Sequence, residues 1–142
     1  MKPRPAKPPI TLRSFSSPWL ELVYLCGKLR YWLYTRKQRT RAERYSPRLQ
    51  RVLRALPKDD LAIIRQEGLA LLCELQGDLS GAIAHRQREI RLIERMHTIA
   101  RSRETSEEAR RFMLERLGAK ELEERKQILA ALREARQGRV AG

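Results

Sequence analysis

Apolar residues recur at steps of three and four along most of this chain, which is the spacing of one face of an α-helix. Nowhere do they alternate as they would in a half-buried strand. The clearest pattern lies between Leu61 and Met96. There Leu61, Ile64, Gly68, Leu71, Leu72 and Leu75 share one face, and Ala82, Ile83, Ile90 and Ile93 share another. Between the two runs stands Gln76-Gly77-Asp78. Gly77 suits the left-handed conformation that closes a helix C-terminus, and Asp78 or Ser80 can cap the next helix. The pattern predicts an αα-hairpin.

The same reading extends in both directions. Ser17-Pro18 has the form of an N-cap followed by proline at the first helical position. From there Trp19, Leu22, Leu25, Cys26, Leu29, Trp32 and Leu33 form an apolar stripe, with Glu21, Lys28 and Thr35 assigned to the opposite side. This helix is expected to run on through an Arg-rich segment to about residue 45. Ser46-Pro47 repeats the start signal, Leu49, Val52, Leu53 and Leu56 form the face of a short helix, and Pro57 ends it. Asp59 or Asp60 is the expected cap of the hairpin's first helix. Thr105 and Glu108 have capping-box spacing ahead of Ala109, Phe112, Met113 and Leu117. A last helix, about 119–137, presents Leu122, Ile128, Leu129 and Leu132 and is expected to stop at Gly138. The fold class is therefore all-α: a small helical bundle, or a repeat-like stack of antiparallel helices, behind an extended N-terminal arm.

The run Leu69-Ala70, Leu75, Gly77-Asp78 and Ala82-Ile83 resembles one tetratricopeptide repeat, whose turn usually reads L-x-x-G-D-x-x-x-A-[IL]. The resemblance covers about 34 residues, one repeat length. It implies a hairpin that stacks on neighbours and binds a peptide or protein partner, not chemistry. The chain departs from the family pattern at Arg86 and Glu89, which stand where an aromatic residue and an alanine are usual, and at Cys73, which replaces a tyrosine. A second copy does not follow: Leu117-Gly118 has the rhythm, but Glu123 occupies the key alanine position. An ordinary helical hairpin in a small bundle fits the same pattern.

Charge changes the picture most. The 142 residues carry a net +14, and the first 54 hold 14 basic residues against two acids, +12, leaving +2 for the remainder. Arg far outnumbers Lys, and both Trp and all four Tyr lie before residue 46. A basic third attached to a nearly neutral helical body points to a polyanion, nucleic acid or an anionic membrane. The expected organisation is a Pro-rich basic arm over 1–17, the amphipathic helix and its Arg-rich end over 18–45, a helical domain over 46–137 with the hairpin at 59–102, and a tail over 138–142.

The residues expected to contact nucleic acid are Arg30, Arg36, Lys37, Arg39, Arg41, Arg44, Arg48 and Arg51. Tyr31 and Tyr34 are the candidates to stack on bases. Arg88, Arg91 and Arg95, neighbours on one helix face, form a possible second stripe. Trp19, Leu22, Leu25, Leu29, Trp32 and Leu33 are the expected surface for a partner protein, which could be a subunit of a ribonucleoprotein. The alternative is a peripheral membrane scaffold that docks through the helix from Trp19 to Tyr34.

Catalysis is not expected. The sequence has no phosphate-binding glycine loop, zinc helix motif or nucleophile elbow. His85 and His97 have no partners at ligand spacing, Cys26 and Cys73 share no metal or redox spacing, and no cofactor is expected. With no secretory signal and no run able to span a bilayer, the expected location is cytoplasmic.

Overall fold

A computed structural model describes the backbone of residues 17–141 and the side chains of 17–139. The expected basic arm lies outside the described residues except for Ser17, as does the end of the tail. The fold is all-α, with no strand among the described residues. The chain divides into two compact units after Pro57.

The first unit contains α1 (Pro18–Arg30), a π-helical turn (Tyr31–Thr35), α2 (Arg39–Glu43) and α3 (Ser46–Ala55). Ser17 caps α1, accepting from the Leu20 amide at 3.3 Å, with Pro18 at the first position. The helix from Ser17 does not continue unbroken to residue 45. After Arg30 the backbone widens so that the Arg36 amide reaches the Tyr31 carbonyl, five residues back, at 2.8 Å. Lys37 then takes a left-handed conformation, φ 52°. That conformation interrupts the helix ladder, and α2 starts anew after Gln38. α3 packs on α1, so the short helix assigned by sequence to the later domain belongs with the first unit. Leu22, Leu25, Cys26 and Leu29 of α1 and Leu49, Val52 and Leu53 of α3 are buried.

The second unit contains α4 (Ile63–Leu75), α5 (Leu79–Ala100), α6 (Glu107–Arg116) and α7 (Ala119–Ala141). α4 and α5 form the predicted hairpin, and α5 also packs on α7 and, less extensively, on α6. Gly77 has φ 79°, the left-handed value that closes α4. Asp78 caps α5, accepting from the Gly81 amide at 2.9 Å. A Cβ on Gly81 would fall inside contact distance of the Asp78 carboxylate and 3.0 Å from the Cys73 sulfur. Gly81→Ala is therefore expected to displace the cap and lower stability by about 1–2 kcal/mol, read as a fall in the thermal midpoint. The core of the unit joins Leu79, Ala82, Ile83, Ile90, Leu129 and Leu132, flanked by Cys73, Leu122 and Ile128. The stripe expected on the last helix is thus the one that docks.

Several local expectations are corrected. α4 begins at Ile63, later than expected, and its N-cap Ala62 makes no side-chain bond. Asp59 instead accepts from the Leu61 amide at 3.0 Å, and Asp60 pairs with Arg65 at 2.9 Å. Leu61, ahead of the helix, is 70% exposed and takes no part in the hairpin face. Ser106, not Thr105, caps α6, because the Thr105 hydroxyl is turned back to donate to the Ile99 carbonyl. α7 runs through Gly138 to Ala141. A glycine inside a helix lowers helix propensity by about 1 kcal/mol but does not oblige a stop.

The second unit also buries a cluster of four charges that the apolar pattern did not assign to the interior. Arg86 donates to Glu67 at 2.7 Å and to Glu89 at 2.8 Å, while Arg125 lies 3.3 and 3.4 Å from the same two carboxylates. Two guanidinium groups and two carboxylates, from α4, α5 and α7, thus form a neutral cluster. Arg125 stands in a run of alternating charges, yet it is only 4% exposed. Burial pushes the Glu89 carboxyl above its ordinary range, with Arg86 opposing that shift.

Candidate nucleic-acid interface

The first unit has only two acids between residues 17 and 57, and they have different fates. Glu21 was expected to face water. It is fully buried and accepts from Arg48 Nε at 2.8 Å. Counting back in steps of four from Leu29 and Leu25 reaches Glu21, so it lies at the edge of the buried face rather than opposite it. Arg48 is thereby removed from the set of phosphate contacts. Its guanidinium ties α3 to α1 and stands 5.9 Å from the Tyr24 ring centre. Arg48→Ala would leave a buried carboxylate without its counter-charge, and a stability loss of about 2–3 kcal/mol is expected with little change in anion binding. Chemical denaturation read beside a binding titration checks this assignment.

With Glu21 neutralised inside, Glu43 is the one exposed acid of residues 17–57, and it pairs with Arg39 at 3.0 Å. Against it stand eight exposed bases: Lys28, Arg36, Lys37, Arg39, Arg41, Arg44, Arg51 and Arg54. Five of them, Arg36 to Arg44, lie within the turn and short helix created by the backbone break. That break gives the segment its shape: a wide turn, a left-handed residue and one helical turn carry the five exposed bases. A straight helix would array them along one rod.

Aromatic rings border this segment. Arg41 lies over Trp32, 4.8 Å from the ring centre, and Tyr31 meets Trp32 edge-on at 5.0 Å and 71°. Tyr31 is exposed, whereas Tyr34 and Arg30 are half-buried and engaged in contacts of their own. The Trp32 face is therefore held by a cation, and Tyr31 is the ring open to a base. Arg88, Arg91 and Arg95 are exposed along α5 of the second unit, at helical spacing.

The expected partner-protein stripe is corrected in its centre. Leu22, Leu25 and Leu29 are wholly buried, because the i, i+3, i+7 face of α1 is turned into the folded chain. Trp19, Trp32 and Leu33 remain half-exposed. The apolar groups α1 does present are Leu20 and Val23, 51% and 52% exposed. In the second unit Ile99, Phe112 and Leu114 are exposed, and α6 has no fully buried residue. Phe112 lies under Arg116, whose guanidinium is 3.9 Å from the ring centre.

No group of three or more His, Cys, Asp or Glu residues placed to hold a metal ion occurs among the described residues. Cys26 is buried; Cys73 is half-buried, and its burial, with Asp78 nearby, pushes the thiol up and away from reactivity. No helix among the described residues is long and apolar enough to cross a membrane. Compared with protein-family models, curated proteins and solved structures, the chain matches none.

Proposed function

We propose that this is a non-enzymatic, all-helical interaction protein that holds a nucleic-acid strand on its basic first unit and a partner protein on its helical surfaces. The observation that carries the reading is the charge of the described first unit: eight exposed bases against one exposed acid. The other acid, Glu21, is consumed internally by Arg48. Phosphates supply affinity to such a surface through release of their counterions, with little dependence on sequence. Exposed Tyr31 beside the cluster favours single-stranded RNA over a duplex, since only unpaired bases offer a face for stacking.

The protein partner is assigned to the apolar groups that folding leaves outside: Leu20 and Val23 on α1, and Ile99, Phe112 and Leu114 in the second unit. This is also what the tetratricopeptide-like hairpin implies. Together the two roles suit a subunit of a ribonucleoprotein, working in the cytoplasm. A second reading, attachment to an anionic membrane, is favoured by Leu20 and Val23 being exposed on α1, which carries Lys28, with exposed Tyr31 just after it.

One panel separates these readings. The full chain is titrated with labelled single-stranded RNA, a DNA duplex and anionic vesicles at low and physiological salt. The proposal expects RNA to bind most tightly and to weaken as salt rises. Vesicle binding alone selects the membrane reading, and a blank on all three ligands removes the polyanion role.

A further inference from the structure

The break between α1 and α2 falls where the sequence supplies no helix breaker. Residues 31–45 read YWLYTRKQRTRAERY, without glycine, proline, asparagine or aspartate. Their Arg, Lys, Gln, Leu and Ala are good helix formers. Two backbone bonds close the widened turn, from the Arg36 amide to the Tyr31 carbonyl at 2.8 Å and from the Gln38 amide to the Trp32 carbonyl at 2.7 Å. Between them Lys37 is held at φ 52°, a conformation that glycine takes freely and a longer side chain takes at a steric cost. α2 then starts at Gln38 with no side-chain cap. Both features vanish if residues 18–45 form one helix.

The bent form is held by contacts distant in sequence. The bend returns α3 to α1, where Leu49, Val52 and Leu53 are buried and Arg48 reaches the buried Glu21 at 2.8 Å. α2 itself packs on the π-helical turn, with Arg41 over Trp32. A single helix over 18–45 would be about 42 Å long and would carry α3 away from the start of α1, where Glu21 lies. The α3-facing side of α1 would then be bare, with a carboxylate among its leucines. A second copy in the same state offers the group that fits it. Two such helices laid antiparallel set the end of each beside the start of the other, an arrangement that closes on itself by a two-fold axis.

We infer that α1 takes α3 from a second copy of this chain, in a two-fold dimer where Glu21 of each copy pairs with Arg48 of the other. Every α1–α3 contact of the bent form is remade across the dimer, so the balance rests on the hinge and on association. Release of two left-handed lysines and two uncapped helix starts favours exchange, and a short hinge under strain invites it. Loss of independent motion opposes it, as does the alignment of Lys37, Arg41 and Arg44 on one face of the straight helix. High protein concentration and salt therefore favour the exchanged form. The inference does not depend on the nucleic-acid reading.

The test uses two full-length variants, Glu21→Arg and Arg48→Glu. Each alone has like charges at its α1–α3 contact. Unfolded in urea, mixed and refolded together, they regain opposite charges at both contacts only if α3 is exchanged. Native mass spectrometry is expected to find a heterodimer, with a thermal midpoint at least about 5 °C above either variant alone. Lys37→Gly in both chains suits the left-handed hinge and weakens the straight helix, and is expected to lower the dimer yield at least about tenfold. Where the two variants do not refold even together, the parent chain decides. Refolded at high concentration, it is expected to yield a dimer that its Lys37→Gly variant forms at least about tenfold less. Refolded variants that stay separate, a heterodimer no more stable than its parts, or a dimer undiminished by Lys37→Gly overturns the exchange. So does a parent chain that yields no dimer.

Discussion

Arg86→Met is expected to cost the second unit about 3–5 kcal/mol of stability, the largest effect of any single substitution considered. Arg86 is fully buried and gives one nitrogen to both Glu67 and Glu89. Its removal leaves two buried carboxylates sharing Arg125, whose contacts are longer at 3.3 and 3.4 Å. One acid must then take up a proton or draw water into the core, and either outcome loosens α4 and α7 from α5. The loss belongs to the uncompensated charge and does not measure the worth of the cluster. Replacing Glu67, Arg86, Glu89 and Arg125 together by methionine is accordingly expected to restore most of the stability. Urea unfolding of the single and quadruple variants decides the matter. A single variant as stable as the parent, or a quadruple variant worse than the single, would show that the cluster is not the neutral unit described.

Changing Arg36, Lys37, Arg39, Arg41 and Arg44 together to alanine is expected to weaken single-stranded RNA binding by about a hundredfold at low salt. The slope of log affinity against log salt should become shallower by up to about 3.5 if all five contact phosphates. These residues are exposed; Arg39 pairs with Glu43 one helical turn on and Arg41 lies over Trp32, both at the surface, so the fold is expected to survive. Helix content and the thermal midpoint should stay near those of the parent. Arg48 is left unaltered for the opposite reason, since it holds Glu21 inside the unit. Unchanged RNA affinity in this variant would move the binding role away from the segment.

The helices were legible in the sequence because their apolar spacing is regular, and the hairpin turn was legible because Gly77 and Asp78 do chemically distinct tasks at a helix end. The basic segment was legible from composition alone. Its break was not: nothing in the run from Arg30 to Arg44 forbids a continuous helix, and the π-helical turn and left-handed Lys37 emerge only with the tertiary fold. Buried charges were misread for a different reason. Arg86 and Glu89 fall in register with Ala82, Ile83, Ile90 and Ile93, on the hairpin's apolar stripe, and they mark the departure from the repeat pattern. A charge on a stripe is normally taken as the stripe's edge. Here it signalled a partner of opposite sign on a neighbouring helix. Glu21 and Arg48 form the same kind of pair 27 residues apart, and no local rule connects them.

The central claim is that the first unit engages a polyanion through phosphate contacts. The most direct measurement is the affinity of the full chain for a single-stranded RNA across a salt series from about 50 to 200 mM. The account predicts a linear fall of log affinity with log salt, its slope near −0.7 for each phosphate contacted. Absent binding at the lowest salt, or an affinity indifferent to salt, would contradict it.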